Sequence, residues 1–247
     1  MSLPRLYLLD VEGTTSPISL VSEQLFPYAR KHLEPFLRAN IREPWIDEAL
    51  EADLELLAKE NAGESEDAPR VAAPEEGASW EGAVPQAATY LQWLMDRDRK
   101  STALKSLQGK IWKAGFEAGE LVGTVFDDVP EALRRWSHVA KVAIYSSGSV
   151  EAQQLLFRHS SVGDLTPYIS GYFDTRVGAK GAADSYRAIA AAMGVRTDEL
   201  LFVSDVVREL DAAREAGCGT RLSMREGNAA INDANGHVEI RSFAEIA

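Results

Sequence analysis

The chain has 247 residues, of which 45% are hydrophobic and 26% are charged. This length suggests one large domain or a core with a smaller second domain, and the apolar fraction excludes a disordered chain. The 26 basic and 38 acidic residues give a net charge of −12, which excludes the basic surface expected of a protein that binds nucleic acid or an anionic membrane.

Cysteine usage and the first residues of the chain favour a cytoplasmic protein. The single cysteine, Cys218, excludes an intrachain disulfide and any multi-cysteine metal site. No apolar run approaches the roughly 18 residues of a membrane-spanning helix, and the start lacks the uncharged apolar stretch of a signal peptide. We therefore expect a cytoplasmic protein with no membrane partner and no nucleic-acid partner.

The first predicted element is a short strand. Leu6–Leu9 is a continuous apolar run that stops at Asp10, which is typical of a strand buried on both faces of a parallel sheet. Gly13 then indicates a turn. This strand would place Asp10 and Glu12 directly beyond its carboxyl end.

Residues 18–125 are predicted to be helical. Apolar residues recur at three- and four-residue spacing over 25–37, 46–57 and 84–95. Between the last two segments, residues 61–79 are rich in Gly, Pro, Ala and acidic residues. This composition predicts a solvated loop that cannot build a core and is dispensable for chemistry.

Residues 126–247 alternate between predicted strands and predicted helices. The strands are 142–145, 171–174, 200–203 and 220–223. The helices are 150–157, 184–193 and one that ends at 216. Such alternation predicts an α/β fold, in which helices cover both faces of a parallel sheet. The first strand is expected to join this sheet, so that the helical stretch is an insertion.

Polar side chains follow four of these predicted strands. They are Asp10 and Glu12, then Ser146 and Ser147, then Lys180, then Asp205. Each has a simpler explanation when taken alone: a solvated turn, a helix cap or an exposed loop lysine. Ligands of open α/β sheets, however, bind beyond the carboxyl ends of the strands, so their convergence predicts a site there.

Together these side chains supply what phosphoryl transfer requires. A carboxylate can attack phosphorus to form an aspartyl phosphate, and a second carboxyl group can protonate the leaving oxygen. Mg²⁺ prefers oxygen ligands, while a lysine and hydroxyl groups neutralise and orient the phosphoryl group. We expect Lys180→Met to reduce turnover and to leave thermal stability nearly unchanged, as at most exposed sites.

The first motif and several later stretches resemble a known family. Residues 8–15, Leu-Leu-Asp-Val-Glu-Gly-Thr-Thr, resemble the first motif of the haloacid dehalogenase superfamily of phosphatases. Most members have Asp where this chain has Glu12, and Glu followed by Ser16-Pro-Ile is similar to the enolase-phosphatase family of methionine salvage. Further stretches that agree are 104–112, 145–153, 173–175, 185–187 and 204–207. The resemblance covers nearly the whole chain outside residues 61–79.

This resemblance implies a fold and a set of site residues. The implied fold is a Rossmann-like core of residues 1–17 and 126–247 with an inserted helical cap of residues 18–125. The implied ligands of one Mg²⁺ per chain are Asp10, Glu12 and Asp205. The implied contacts to phosphate and substrate are Ser146, Ser147 and Lys180, with Asp10, Glu12 and Lys180 as catalytic residues.

The resemblance also implies a reaction and a substrate. A small phosphorylated diketone, 2,3-diketo-5-methylthiopentyl-1-phosphate, is enolised and then hydrolysed to the acireductone and phosphate through an aspartyl phosphate on Asp10. Glu12 is the nearest candidate base for the enolisation. Because Glu is one methylene longer than Asp, the general acid stays open, as do the roles of Glu209 and Asp211. The family is typically monomeric.

Three other functions remain as alternatives. A capped phosphatase of the same superfamily could act on another phosphomonoester. A dehalogenase has no Mg²⁺ and little use for the carboxylate of Glu12. A receiver-like switch would accept phosphate on Asp10 without turnover, but the insertion of about 100 residues favours a cap that excludes water from a site.

Overall fold

The computed structural model describes residues 3–42, 45–75 and 78–246. The chain divides into two compact units. Residues up to Gln24 and from Ala118 onward form the sheet unit, and Leu25–Glu117 form the helical unit. In the described part of the chain, no helix has both the length and the apolar character that are needed to cross a membrane.

The strands are β1 (Leu6–Leu9), β2 (Ile41–Arg42), β3 (Trp45–Ile46), β4 (Lys141–Tyr145), β5 (Gly171–Phe173), β6 (Leu200–Ser204), β7 (Gly219–Ser223) and β8 (Val238–Ile240). The α-helices are α1 (Phe26–Asn40), α2 (Glu48–Ala62), α3 (Val84–Asp96), α4 (Thr102–Glu117), α5 (Val129–Ser137), α6 (Val150–Arg158), α7 (Ala183–Ala192) and α8 (Val207–Glu215).

The described strands of the sheet unit form one parallel sheet in the order β5-β4-β1-β6-β7-β8. β1 is central, and its last residue, Leu9, pairs with Ile144 of β4 and Val203 of β6. The α/β prediction with a Rossmann-like parallel core is confirmed. Because the strands are parallel, the residues that follow β1, β4 and β6 lie at the same edge of the sheet.

The core of the sheet unit explains why β1 is a continuous apolar run. Helices connect parallel strands by crossing over the sheet, so a central strand is covered on both faces. All four residues of Leu6–Leu9 are buried. On one face, Leu6 and Leu8 share a cluster with the aromatic rings of Tyr145, Tyr186 and Phe202.

The helical unit has a separate apolar core. Helix α1 contributes Ala29, Leu33 and Leu37, whose spacing of four residues places them on one face. Helix α2 begins at Asp47, whose carboxylate accepts hydrogen bonds from two backbone N–H groups of the first turn. The antiparallel pair of β2 and β3 is too short to show in the alternation of apolar residues and was not predicted.

The prediction of a solvated loop over residues 61–79 is wrong for part of that segment. Asn61 is buried at the end of α2, and its side chain bonds to the backbone on both sides of Arg70: its Nδ2 donates to Pro69 O at 2.7 Å and its Oδ1 accepts from Val71 N at 2.9 Å. Ala68 and Val71 are consequently held in the apolar core. Residues 76–77 of the predicted loop lie outside the described residues.

The bounds of the helical unit differ from the predicted insertion of residues 18–125. At its end, residues 118–125 belong to the sheet unit, where Gly123 N donates to His159 O and Gly123 O accepts from Ser161 N. Such hydrogen bonds join segments that are distant in sequence, so a helical pattern cannot predict them. The action of the helical unit as a cap stays a prediction.

Candidate active site

A cavity of about 200 Å³ opens at the carboxyl edge of the sheet. Its lining consists of Asp10, Glu12, Ile18, Ser146, Ser147, Lys180, Asp205, Val206 and Glu209. The structure therefore brings together all six of the side chains predicted from the strand ends. These six residues lie in four loops, which are close together because each follows a strand of the same parallel sheet.

Asp10 is held in a fixed orientation at the end of β1. Its side chain is 6% exposed. Oδ1 accepts a hydrogen bond from Val11 N at 2.8 Å, and Oδ2 accepts from Lys180 Nζ at 2.7 Å and from Ser204 Oγ at 2.8 Å. These three donors fix the orientation of the Asp10 carboxylate at the cavity.

Lys180 is buried, so its expected exposure is wrong. Its Nζ lies 2.7 Å from Asp10 Oδ2 and 2.6 Å from Glu209 Oε2, and its side chain is 11% exposed. Burial alone would lower the pKa of Lys180, but the two carboxylates outweigh it and the pKa is raised. The lysine is consequently a fixed cation at neutral pH.

Tyrosine hydroxyl groups fix the loop that carries Lys180. Tyr186 Oη donates to Lys180 O at 2.7 Å, and Tyr145 Oη donates to Gly178 O at 3.0 Å. The two rings pack edge to face in the core of the sheet unit. The Gly-flanked loop is therefore anchored, although its composition suggested an ordinary surface turn.

Glu12 lies beside Asp10 at the start of a tight turn. Burial and the neighbouring Asp10 carboxylate raise the pKa of Glu12, while Lys180 opposes the rise. The next residue, Gly13, has a φ of +66°, and a Cβ there would lie 2.4 Å from Asp205 Oδ2. Glycine is required at this turn for both reasons. The turn is fixed because Gly13 O accepts hydrogen bonds from Ser223 Oγ and from Asn228 Nδ2.

Asp205 adds a third carboxyl group directly after β6. Burial, reinforced by the charge of Asp10, raises the pKa of Asp205 to about 7. The lining holds the carboxyl groups of Asp10, Glu12, Asp205 and Glu209 together with the single lysine Lys180, so carboxyl groups are in excess there. A bound cation would relieve this excess.

The oxygen-rich lining fits a hard divalent cation. Within residues 3–42, 45–75 and 78–246, no three Asp, Glu, His or Cys side chains are grouped closely enough to hold a metal ion by themselves. Mg²⁺ does not need such a group, because it usually takes one or two carboxylates together with water and phosphate oxygens. Asp10, Glu12 and Asp205 offer carboxylates of this kind.

The serines after β4 form a short loop that leads into α6. In this Ser146–Ser149 loop, Ser146 Oγ accepts from Gly148 N at 3.2 Å, and Ser149 Oγ caps the helix by accepting from Ala152 N at 3.2 Å. Ser146 and Ser147 line the cavity. Both serines therefore line the same cavity as Asp10 and Lys180.

Glu209 and Ser204 are site residues that the sequence reasoning left without a role. Ser204 is fully buried and its Oγ bonds to Asp10 and lies 3.3 Å from Glu209 Oε2. Glu209 lies in the first turn of α8, four residues after Asp205, and a carboxyl group so soon after a predicted strand end is the signal that could have found it. Asp211 points elsewhere, to Arg214 and His237.

The fold and the site together define a class of enzyme. A carboxylate after the central strand, a lysine and a carboxyl group after β6 meet around one cavity, and these are the types of group that phosphoryl transfer uses. The haloacid dehalogenase-like hydrolase family matches residues 4–217. The chain belongs to this family and is a hydrolase.

Two relatives and one solved structure resemble this chain over nearly all of its length. The chain is 49% identical to enolase-phosphatase E1 of Synechococcus elongatus, over 97% of this chain and 96% of that protein. It is 42% identical to a probable bifunctional methylthioribulose-1-phosphate dehydratase/enolase-phosphatase E1 of Populus trichocarpa, over 99% of this chain and 47% of that protein. The crystal structure of the UTR4 protein of Saccharomyces cerevisiae has a TM-score of 0.76 at 31% identity, covering 98% of this chain and 99% of that one.

Proposed function

We propose that this hydrolase is an enolase-phosphatase of methionine salvage, which converts 2,3-diketo-5-methylthiopentyl-1-phosphate to the acireductone and phosphate. The observation that carries the proposal is the buried group of Asp10, Lys180 and Glu209 at the cavity. Similarity to enolase-phosphatase E1 over nearly the full length of the chain supports the choice of substrate. The Populus relative, in which a matching segment belongs to a protein also named for methylthioribulose-1-phosphate dehydration, supports a methylthio sugar-derived phosphate.

Asp10 is the nucleophile of the phosphatase half-reaction. One of its oxygens attacks phosphorus, the bond from phosphorus to the substrate oxygen breaks, and water then hydrolyses the aspartyl phosphate to release phosphate. Lys180, 2.7 Å from Asp10, neutralises charge on the transferring group. The hydroxyl groups of Ser146 and Ser147 hold phosphoryl oxygens, because both line the same cavity.

Glu12 is the base of the enolase half-reaction. The role is assigned to Glu12 because it lines the cavity close to Asp10. Glu12 takes the proton from the carbon next to the carbonyl, and the enolate oxygen takes a proton from solvent. The protonated carboxyl group of Glu12 then supplies a proton to the oxygen that leaves phosphorus, which returns Glu12 to its starting state.

We propose that Asp10, Glu12 and Asp205, together with water and phosphate oxygens, hold one Mg²⁺ per chain. When bound, the ion supplies positive charge that stabilises developing charge on phosphoryl and enolate oxygens. The excess of carboxyl groups in the cavity supports this proposal. We also expect the enzyme to be cytoplasmic and monomeric, and sedimentation of the purified protein would check the latter.

The direct test is turnover of the diketo phosphate with and without Mg²⁺, following phosphate and the enediol together. We expect both products in equal amounts, loss of turnover on chelation and recovery when Mg²⁺ is added. A panel of sugar phosphates under the same conditions serves as the control. Faster hydrolysis of a sugar phosphate than of the diketone would favour another phosphatase of the family, and full activity after exhaustive chelation would refute the metal proposal.

A further inference from the structure

A buried glutamine on α6 joins two strand ends beside the Ser146–Ser149 loop. Gln153 is 3% exposed. Its Nε2 donates to Gly148 O at 2.8 Å and to Phe173 O, at the end of β5, at 2.9 Å. Ser146 N donates to the same Phe173 carbonyl at 3.1 Å. One side-chain amide thus links the loop after β4 to the neighbouring strand.

The buried amide is costly if its only role is to fill space. Gln153 Oε1 is buried and accepts no hydrogen bond from any described residue, and an unpaired polar atom in the interior is unfavourable. A methionine of similar length would fill the same volume without that oxygen. What only the amide provides is the pair of N–H donors for the two carbonyl groups.

Two hydrogen bonds of serine side chains in the loop are local. Ser146 Oγ to Gly148 N and Ser149 Oγ to Ala152 N connect residues two or three positions apart, so they set the curvature of the loop. Gln153 binds the carbonyl of Gly148 and thereby orients the peptide that follows, because a planar trans peptide holds its C=O and N–H in opposite directions. The amide therefore sets where the loop lies relative to β5.

We propose that Gln153 is a positioning residue for phosphate recognition: it holds the Ser146–Ser149 loop so that the hydroxyl groups of Ser146 and Ser147 face the cavity. The proposal rests on the proposed function, since it assigns phosphate to that cavity. The role of Gln153 goes beyond the proposed function, because phosphate affinity would then depend on a side chain that does not line the cavity.

The test compares Gln153→Met and Gln153→Asn with Gln154→Met, the same change at the exposed neighbouring glutamine. Methionine removes both donors at nearly constant volume, and asparagine keeps the amide but is one methylene too short for both carbonyls. We measure kcat and KM for the diketo phosphate, the inhibition constant of inorganic phosphate and the thermal midpoint. Both Gln153 variants are expected to raise KM and the inhibition constant roughly tenfold, with kcat within about threefold of wild type, because ground state and transition state lose phosphate binding equally.

A purely structural role predicts a different result. It would reduce the folded fraction and hence the apparent kcat, but leave KM and the inhibition constant at the values of Gln154→Met. That result, or failure of both Gln153 variants to fold, would overturn the proposal. If wild type binds inorganic phosphate but does not turn over the diketone, the proposed substrate is wrong, and titration of the variants with inorganic phosphate still decides the role of Gln153.

Discussion

Two pairs of charged residues, one in each unit of the molecule, differ sharply in burial. In the helical unit, the pair of Arg38 and Glu34 has side chains that are 54% and 42% exposed, whereas Lys180 and Asp10 of the sheet unit are 11% and 6% exposed. Exposed pairs contribute little to stability, and buried pairs repay their desolvation only with good geometry. Asp10, Lys180 and Glu209 are buried together at the carboxyl edge of the sheet. Their burial therefore indicates a functional site rather than a means of stabilising the fold.

The largest expected effect is that of Asp10→Asn. An amide is a poor nucleophile, so phosphate release from the diketo phosphate should fall to the background rate. The fold should persist, because the pair of Lys180 and Glu209 remains. Phosphate assays and circular dichroism check the two parts, and substantial residual turnover in this variant would remove Asp10 from the role of nucleophile.

Lys180→Met sharpens the contrast between buried and exposed charge. Loss of the fixed cation should reduce turnover about 10²–10³-fold. The change also leaves Asp10 and Glu209 buried without their shared cation, so the free energy of unfolding should fall by about 3 kcal/mol. This replaces the expectation of unchanged stability that followed from reading Lys180 as exposed.

The matched control for that variant is Arg38→Met in the helical unit. Its exposed partner stays solvated, so the free energy of unfolding should change by less than about 0.5 kcal/mol. Urea denaturation measures both variants. Equal losses of stability at the two positions would contradict the comparison on which the site assignment rests.

Asp128 provides a pH-dependent test within the sheet unit. Burial would raise its pKa, but hydrogen bonds from Arg225, Phe243 N and Ser242, with the charge of Arg225, hold the pKa below its usual value. The ionised form is thus favoured in the folded state. The contribution of Asp128 to the free energy of unfolding should be complete above about pH 4, the ordinary pKa of Asp. This contribution should be lost as the pH falls through the lowered pKa of the folded state.

Replacement of Asp128 tests whether its stabilising effect is lost at low pH. Asp128→Asn should lower the free energy of unfolding by about 2 kcal/mol at pH 7, since bonds to a charged group are lost. The deficit should shrink as the pH falls below 4. Asp127→Asn, at the exposed neighbouring residue, is the matched control. A deficit that stays constant from pH 7 to pH 2 would contradict the assignment.

The smallest expected effect concerns the acidic segment of the helical unit. Val71 is buried in the helical core, so Val71→Ala should cost about 1–2 kcal/mol of stability through lost burial and a small cavity. Val139→Ala, at a side chain that is 69% exposed, should change stability by less than about 0.5 kcal/mol. Thermal unfolding of both variants separates a packed segment from a solvated one.

Much of the sheet unit could be predicted because its signals are local. An apolar run such as Leu6–Leu9 must be covered on both faces, and parallel strands bring Asp10, Ser146 and Asp205 to one edge. The strands 142–145, 200–203 and 220–223 were each predicted to within one residue at either end.

The remaining features depend on partners that are distant in the sequence. Nothing near Lys180 shows that its loop is buried, because the groups that bury it are the hydroxyl groups of Tyr145 and Tyr186 and the carboxylates of Asp10 and Glu209. Helix α5 and strand β8 were also missed. β8 has only three residues and pairs at the edge of the sheet, which is too short for a recognisable pattern.

The mechanism proposed for this hydrolase requires that turnover passes through an acyl phosphate on Asp10. Its most direct test is to quench the enzyme during turnover of the diketo phosphate, reduce the protein with borohydride and map its peptides by mass spectrometry. An aspartyl phosphate is reduced to homoserine, whereas a free carboxylate is not. We expect this mass change at position 10 of the wild-type enzyme during turnover, and no mass change there when substrate is omitted. Turnover with no modification at Asp10, or with modification at Asp205 instead, would contradict it.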